Sequence, residues 1–126
     1  MLAQVQNYQI AENPTIDFQD VKIEIFIPVD HVDKLRMALG EVGAGQIGDY
    51  DHCCSVIGVR GYWRPLAGAH PYQGEIGKIE EGVECKVEVN CKKELVRDTI
   101  RAIKSVHPYE EPVFNITPLL NYLFID

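Results

Sequence analysis

Two copies of one tripeptide, His70-Pro71-Tyr72 and His107-Pro108-Tyr109, carry half of the four histidines in this 126-residue chain. Each offers an imidazole and a phenol separated by a stiff proline, and the second copy runs on into Glu110 and Glu111. An imidazole can ligate a metal or hydrogen-bond a ligand, a phenol can stack on a ring, and adjacent carboxylates attract a cation. The plainer alternative is that His107-Pro108 ends a helix, Tyr109 packs on the core and the glutamates are solvated. Arg64 follows Tyr62 and Trp63; its fixed charge suits a bidentate grip on a carboxylate or phosphate, or an ion pair with Glu75 or Glu80. Tyr50 follows Gly48-Asp49 at the entrance of an apolar segment, where turn chemistry competes with ligand contact. Tyr50, Arg64, His70, His107, Tyr109 and Glu110 are therefore the candidate ligand-binding residues. His107 and Glu110, helped by His70 or His31, are the candidate ligands if a divalent metal binds, and no motif establishes a cofactor.

No catalytic residue is assigned. The chain has no phosphate loop, no His-Glu-x-x-His zinc helix and no Gly-x-Ser-x-Gly elbow. Cys53 and Cys54 neighbour His52, yet adjacent residues of a strand point to opposite faces, so they make a poor nucleophile pair or chelate. Cys85 and Cys91 fall on the apolar phase of Val83 to Cys91, which makes them buried strand residues. Zinc-type spacing and a dense disulfide framework are both missing from the four cysteines.

The elements that must position these groups follow from periodicity. Residues 1–20 show no sustained period and read as an N-terminal arm or short added strand; residues 21–126 read as one domain. Val21, Ile23, Ile25, Ile27 and Val29 alternate with Lys22, Glu24 and Phe26, which predicts a half-buried first strand ending at Pro28. Val32, Leu35, Leu39 and Val42 recur at helical spacing, with Asp30 as the expected cap and an end near Gly43. A second strand over Tyr50 to Trp63 is apolar on both faces, so both are expected to be covered. Tyr62 and Trp63 alternate, one toward the core and the other toward a groove or subunit contact. Nine of the ten glycines lie between Gly40 and Gly77, marking shaped turns around this strand. Alternation over Val83 to Asn90 predicts a third strand, Leu95 to Val106 a second helix from about Lys92, and Pro112 to Pro118 a last short strand. The order is that of an α+β ferredoxin-like sandwich (βαββαβ), an antiparallel sheet with two helices on one face.

A chain of this length buries one core and is too short for two ordinary domains. A net charge of -7 argues against nonspecific attraction to nucleic acid or anionic membrane. No run approaches the length of a spanning helix and the start lacks a leader's pattern, which favours a cytoplasmic protein. The bare sheet face and the apolar tail Leu119 to Ile125 call for a neighbouring subunit, although the tail could instead dock on its own core.

Gly43-Ala44-Gly45, Ile47-Gly48-Asp49-Tyr50, Cys53, Arg64-Pro65, Gly68-Ala69, Gly74 and Gly77-Lys78-Ile79-Glu80 occur in that order, closed by His107-Pro108-Tyr109-Glu110-Glu111-Pro112. This series resembles the insert domain of the Ngg-interacting-factor family, also called the dinuclear-metal or GTP cyclohydrolase type 2-like family, over roughly Val21 to Leu119. The closing segment is also similar to the His-Pro-Tyr segment of divalent-cation-tolerance proteins of the CutA type. The resemblance implies a fold related to CutA and trimeric PII signalling proteins, and with it a homo-oligomer, a trimer being favoured. Full-length family members carry two flanking segments whose His, Asp and Glu residues hold a pair of metal ions. The sequence shows no equivalent, so a stand-alone insert domain is expected and the hydrolytic role is not transferred. The expectation is a noncatalytic oligomeric regulatory or ligand-binding module, its partner a small molecule or a protein. A divalent-metal-binding protein using the His-Pro-Tyr-Glu segment is the alternative, and a small hydrolase a third.

Overall fold

The computed structural model describes residues 17–125; most of the expected N-terminal arm lies outside them. Strand β1 (Asp20–Ile27) leads through a single 3-10 turn into helix α1 (Val32–Glu41). Strands β2 (Ser55–Trp63) and β3 (Glu80–Lys92) precede helix α2 (Val96–Val106) and strand β4 (Val113–Leu119). The four strands form one antiparallel sheet in the order β2-β3-β1-β4. This is the expected ferredoxin-like α+β sandwich.

The core grows directly from the alternation. Val21, Ile23, Ile25 and Ile27 on β1 and Val87, Val89 and Cys91 on β3 are buried, as are Leu35 and Leu39 of α1 and Ile103 of α2. Full burial of each such branched side chain is worth about 1.5–3 kcal/mol, so β1 alone supplies a large share of the driving force. Cys85 and Cys91 are buried as expected, opposite Ile27 and Val21. Burial raises the Cys91 thiol above its usual value, and Thr99, the buried hydroxyl beside it, donates to the Leu95 carbonyl at 2.7 Å. The opposite face of β1 and β3 carries Lys22, Glu24, Lys86 and Glu88, cross-linked by Lys22–Glu88 (3.5 Å) and Lys86–Glu88 (3.4 Å).

Three sequence expectations are corrected. Asp30 does not cap α1: it sits in the 3-10 turn with Oδ1 3.0 Å from His31 Nδ1, and no side chain caps the helix. The end of α1 does fall near Gly43, whose φ of 91° lets the Ala44 N–H return to the Leu39 carbonyl. Strand β2 starts at Ser55 rather than Tyr50, because Ile47 and Tyr50 exchange backbone hydrogen bonds in their own tight turn. Val56 and Ile57 of the edge strand β2 are exposed, so the described residues leave both apolar faces partly uncovered. The C-terminal tail likewise does not dock as a whole on its own core. Tyr122 donates to the Asp17 carbonyl, while Leu123, Phe124 and Ile125 are exposed. Among the described residues no helix is long and apolar enough to cross a membrane.

Strand β3 outruns β1. Its residues 85–92 pair with β1, whereas Glu80 to Glu84 pair only with Val59 to Trp63. The β2–β3 pair therefore projects past the end of β1, and the candidate site is built against this projection.

Candidate functional site

A cleft of about 440 Å³ opens where the β2–β3 projection meets the 64–79 loop and the segment that follows α2. Both tripeptide copies arrive there. The loop is held by backbone hydrogen bonds from Gly77 N–H to the Pro65 carbonyl (2.7 Å) and from Ala69 N–H to the Leu66 carbonyl (3.0 Å). The Trp63 indole N–H adds a bond to the Gln73 carbonyl (3.0 Å). Gly74, at φ 107°, lies against that indole, and a Cβ there would fall 3.1 Å from the ring nitrogen, so the turn and the tryptophan require glycine together.

The second tripeptide forms the floor. His107 is buried at the end of α2, its Nε2 2.6 Å from the Phe26 carbonyl and its Nδ1 accepting from the Tyr109 N–H at 3.2 Å. Both ring nitrogens are thereby used by a neutral imidazole that donates through Nε2. Burial is the largest influence on it and holds its pKa below the usual imidazole value, against the pull of the Phe26 carbonyl and Glu84. The Tyr109 hydroxyl donates to Glu84 Oε2 at 2.9 Å. Burial first, and then the Glu84 carboxylate, push the phenol's pKa well above its ordinary value.

The first tripeptide forms a wall. The backbone N–H of His70 donates to Glu110 Oε1 at 2.9 Å, tying the loop to the segment after α2. The ring of Tyr72 lies 5.8 Å from that of Tyr109 and 6.2 Å from that of His31, and Tyr109 lies 4.8 Å from His107. These four rings form one continuous aromatic row.

Of the six candidate ligand-binding residues, Arg64, Tyr109 and Glu110 line the cleft. His107 sits behind Tyr109 as its support, and His70 anchors the loop through its backbone. Tyr50 is not brought to them: it precedes the start of β2 while Arg64 follows its end, roughly 25 Å of strand away. Arg64 forms no ion pair with Glu75 or Glu80; Glu75 pairs with Lys78, and Glu80 accepts from the Glu75 N–H. A metal on His107 would have to displace one of its two hydrogen bonds. Among the described residues no group of three His, Cys, Asp or Glu side chains is arranged to hold a metal ion. The cleft adds Tyr72 and Glu84 to the candidates; Glu111 was expected to attract a cation beside Glu110, and one of Tyr62 and Trp63 to face a groove. The repeated tripeptide was the signal for Tyr72; Glu84 looked like any other polar position of an alternating strand.

No family model matches the chain. It is 37% identical over 98 residues to a GTP cyclohydrolase 1 type 2 homolog of Bacillus subtilis, covering 78% of this chain and 26% of that protein. With the protein of the same name from Mycobacterium leprae it is 41% identical over 96 residues, covering 76% and 25%. The chain thus spans about a quarter of the length of the curated relatives it matches. Among solved structures, a Bacillus cereus protein related to NIF3 superposes with a TM-score of 0.73 at 35% identity, over 86% of this chain and 28% of that one. The periplasmic divalent cation tolerance protein CutA of Archaeoglobus fulgidus superposes with a TM-score of 0.60 at 18% identity, over 80% and 84%. The second likeness is one of fold.

Proposed function

We propose that this chain, homologous to one segment of the NIF3-related GTP cyclohydrolase 1 type 2 homologues and folded like CutA, is a noncatalytic, oligomeric ligand-binding module with a regulatory role. The single observation that carries the reading is the cleft lined by Arg64, where two separated His-Pro-Tyr segments and Trp63 are held in place by specific hydrogen bonds. Its charged and aromatic groups are arranged to hold a molecule. Proton transfer is a different matter: the one well-buried imidazole is spent on structure, and the half-buried Tyr109 phenol is held in its protonated form. A built cavity whose imidazole and phenol are both committed to structure favours binding over turnover.

Oligomerisation is supported by the exposed apolar residues of the two sheet edges, Val56 and Ile57 on β2 and Val113 and Ile116 on β4, together with the tail. A homotrimer is the assembly proposed, in the cytoplasm. Native mass spectrometry of protein purified without a histidine tag or chelator tests this directly. Three copies of the 14.2 kDa chain without metal are expected. A monomer carrying one metal per chain would overturn the reading in favour of a divalent-metal-binding protein.

A further inference from the structure

We propose that the cleft takes an organic cation, a small ammonium compound seated against the rings of Trp63, Tyr72 and Tyr109 with Glu84 and Glu111 as its counter-charge. The proposal deepens the reading of the cleft as a ligand site and rests on it.

The charges of the wall favour a cation. Three carboxylates, Glu84, Glu110 and Glu111, line the cleft against one guanidinium, Arg64. Glu110 is committed to the His70 N–H. Glu84 is half-buried and binds the Tyr109 hydroxyl through Oε2; among the described residues neither it nor Glu111 has a cation within ion-pair distance. The remaining acceptor, Glu84 Oε1, lies over Gly61, where a Cβ would come within 3.0 Å of it. Absence of a side chain at 61 is therefore what lets the carboxylate occupy this place. Tyr109 keeps its proton, so the phenol screens nothing of the Glu84 charge beyond its one hydrogen bond.

The aromatic walls act in the same direction. Ring faces carry the negative end of the aromatic quadrupole and attract ammonium groups while repelling anions. The chain's net charge of -7 adds a long-range field of the same sign. The space is that of a small organic molecule, whereas a bare divalent ion would need several carboxylates converging on one point.

Trp63 is the only tryptophan, so its fluorescence reports the cleft alone. Benzyltrimethylammonium, benzyl alcohol and benzoate are titrated separately into the intact protein. The ammonium compound is expected to change Trp63 emission saturably and to bind about tenfold more tightly than benzyl alcohol, with benzoate weaker than both. Glu84→Gln keeps an oxygen to accept the Tyr109 hydroxyl and is expected to weaken the cation roughly fivefold; Glu111→Gln is expected to do the same. Glu111 is exposed and outside the hydrogen-bond network, so its variant decides the question even if Glu84→Gln fails to fold. Tighter binding of benzoate would assign the cleft to an anion at Arg64, overturning the charge preference while keeping the ligand site. Equal binding of the ammonium compound and the alcohol would make the cleft merely apolar and overturn the proposal. Failure of all three to bind would overturn the ligand-site reading as well.

Discussion

The two His-Pro-Tyr segments are identical in sequence and opposite in use. In the second, His107 is buried with both ring nitrogens bonded, and Tyr109 delivers its hydroxyl to Glu84. In the first, His70 is exposed and engages through its backbone N–H, while Tyr72 sets an exposed ring at a 48° tilt to that of Tyr109. What differs is the element that delivers them. Helix α2 ends against the core and carries His107 under the sheet, whereas the 64–79 loop lays its copy over the outside. A short motif thus fixes which groups are available, and the packing around it fixes whether they hold the fold together or face a ligand.

Replacing the histidines breaks the comparison most sharply. His107→Ala leaves the Phe26 carbonyl unpaired and opens a cavity, so a loss of about 2–4 kcal/mol is expected in urea unfolding. His70→Ala is expected to cost less than about 0.5 kcal/mol, since its backbone bond to Glu110 survives. Equal losses would show that the two copies are structurally equivalent. The tyrosines should follow at smaller scale. Tyr109→Phe removes the Glu84 hydrogen bond and is expected to cost about 1–2 kcal/mol, while Tyr72→Phe stays near zero.

Acidification sharpens the contrast further. His107 has a folded-state pKa below its unfolded one, so under the usual imidazole value the unfolded chain binds more protons and stability falls as pH falls. The nearby charges of Glu84 and His31 act in opposite directions on that proton. Unfolding measured between pH 7 and 5 should therefore lose stability at no more than about 1.4 kcal/mol per pH unit from this group. The His107→Gln variant should show a flatter profile and His70→Gln an unchanged one; a slope that persists without His107 would place the titration elsewhere.

Much of the fold was legible because a half-buried strand writes its burial into a period of two. Val21, Ile23, Ile25 and Ile27 could hardly be read otherwise, and Cys85 and Cys91 fell on the buried phase of β3 by the same rule. Boundaries were less legible. The expected second strand takes in Tyr50 to Cys54, yet Tyr50's backbone is bonded in the Ile47–Tyr50 turn and the Cys53 N–H goes to the Gly45 carbonyl. The site was legible only in part. The repeated tripeptide, Arg64 and Glu110 stood out by type; Glu84 did not, since Glu84, Lys86 and Glu88 alternate alike along β3. Lys86 and Glu88 are spent on ion pairs with Glu24 and Lys22 of β1, and Glu84 escapes that fate because β1 has ended at the preceding rung.

By itself, then, the sequence determined the element order, the buried face of each central strand and the ferredoxin-like class, because hydrophobic periodicity is a local property of the chain. Only the tertiary structure decided that Tyr72 meets Tyr109, that Tyr50 is left at the far end of β2, and that β3 overruns β1 to set Glu84 in a cleft. Those outcomes depend on register and on where neighbouring strands stop, and no spacing along one chain encodes the distance between residues that the sheet and the loop bring together.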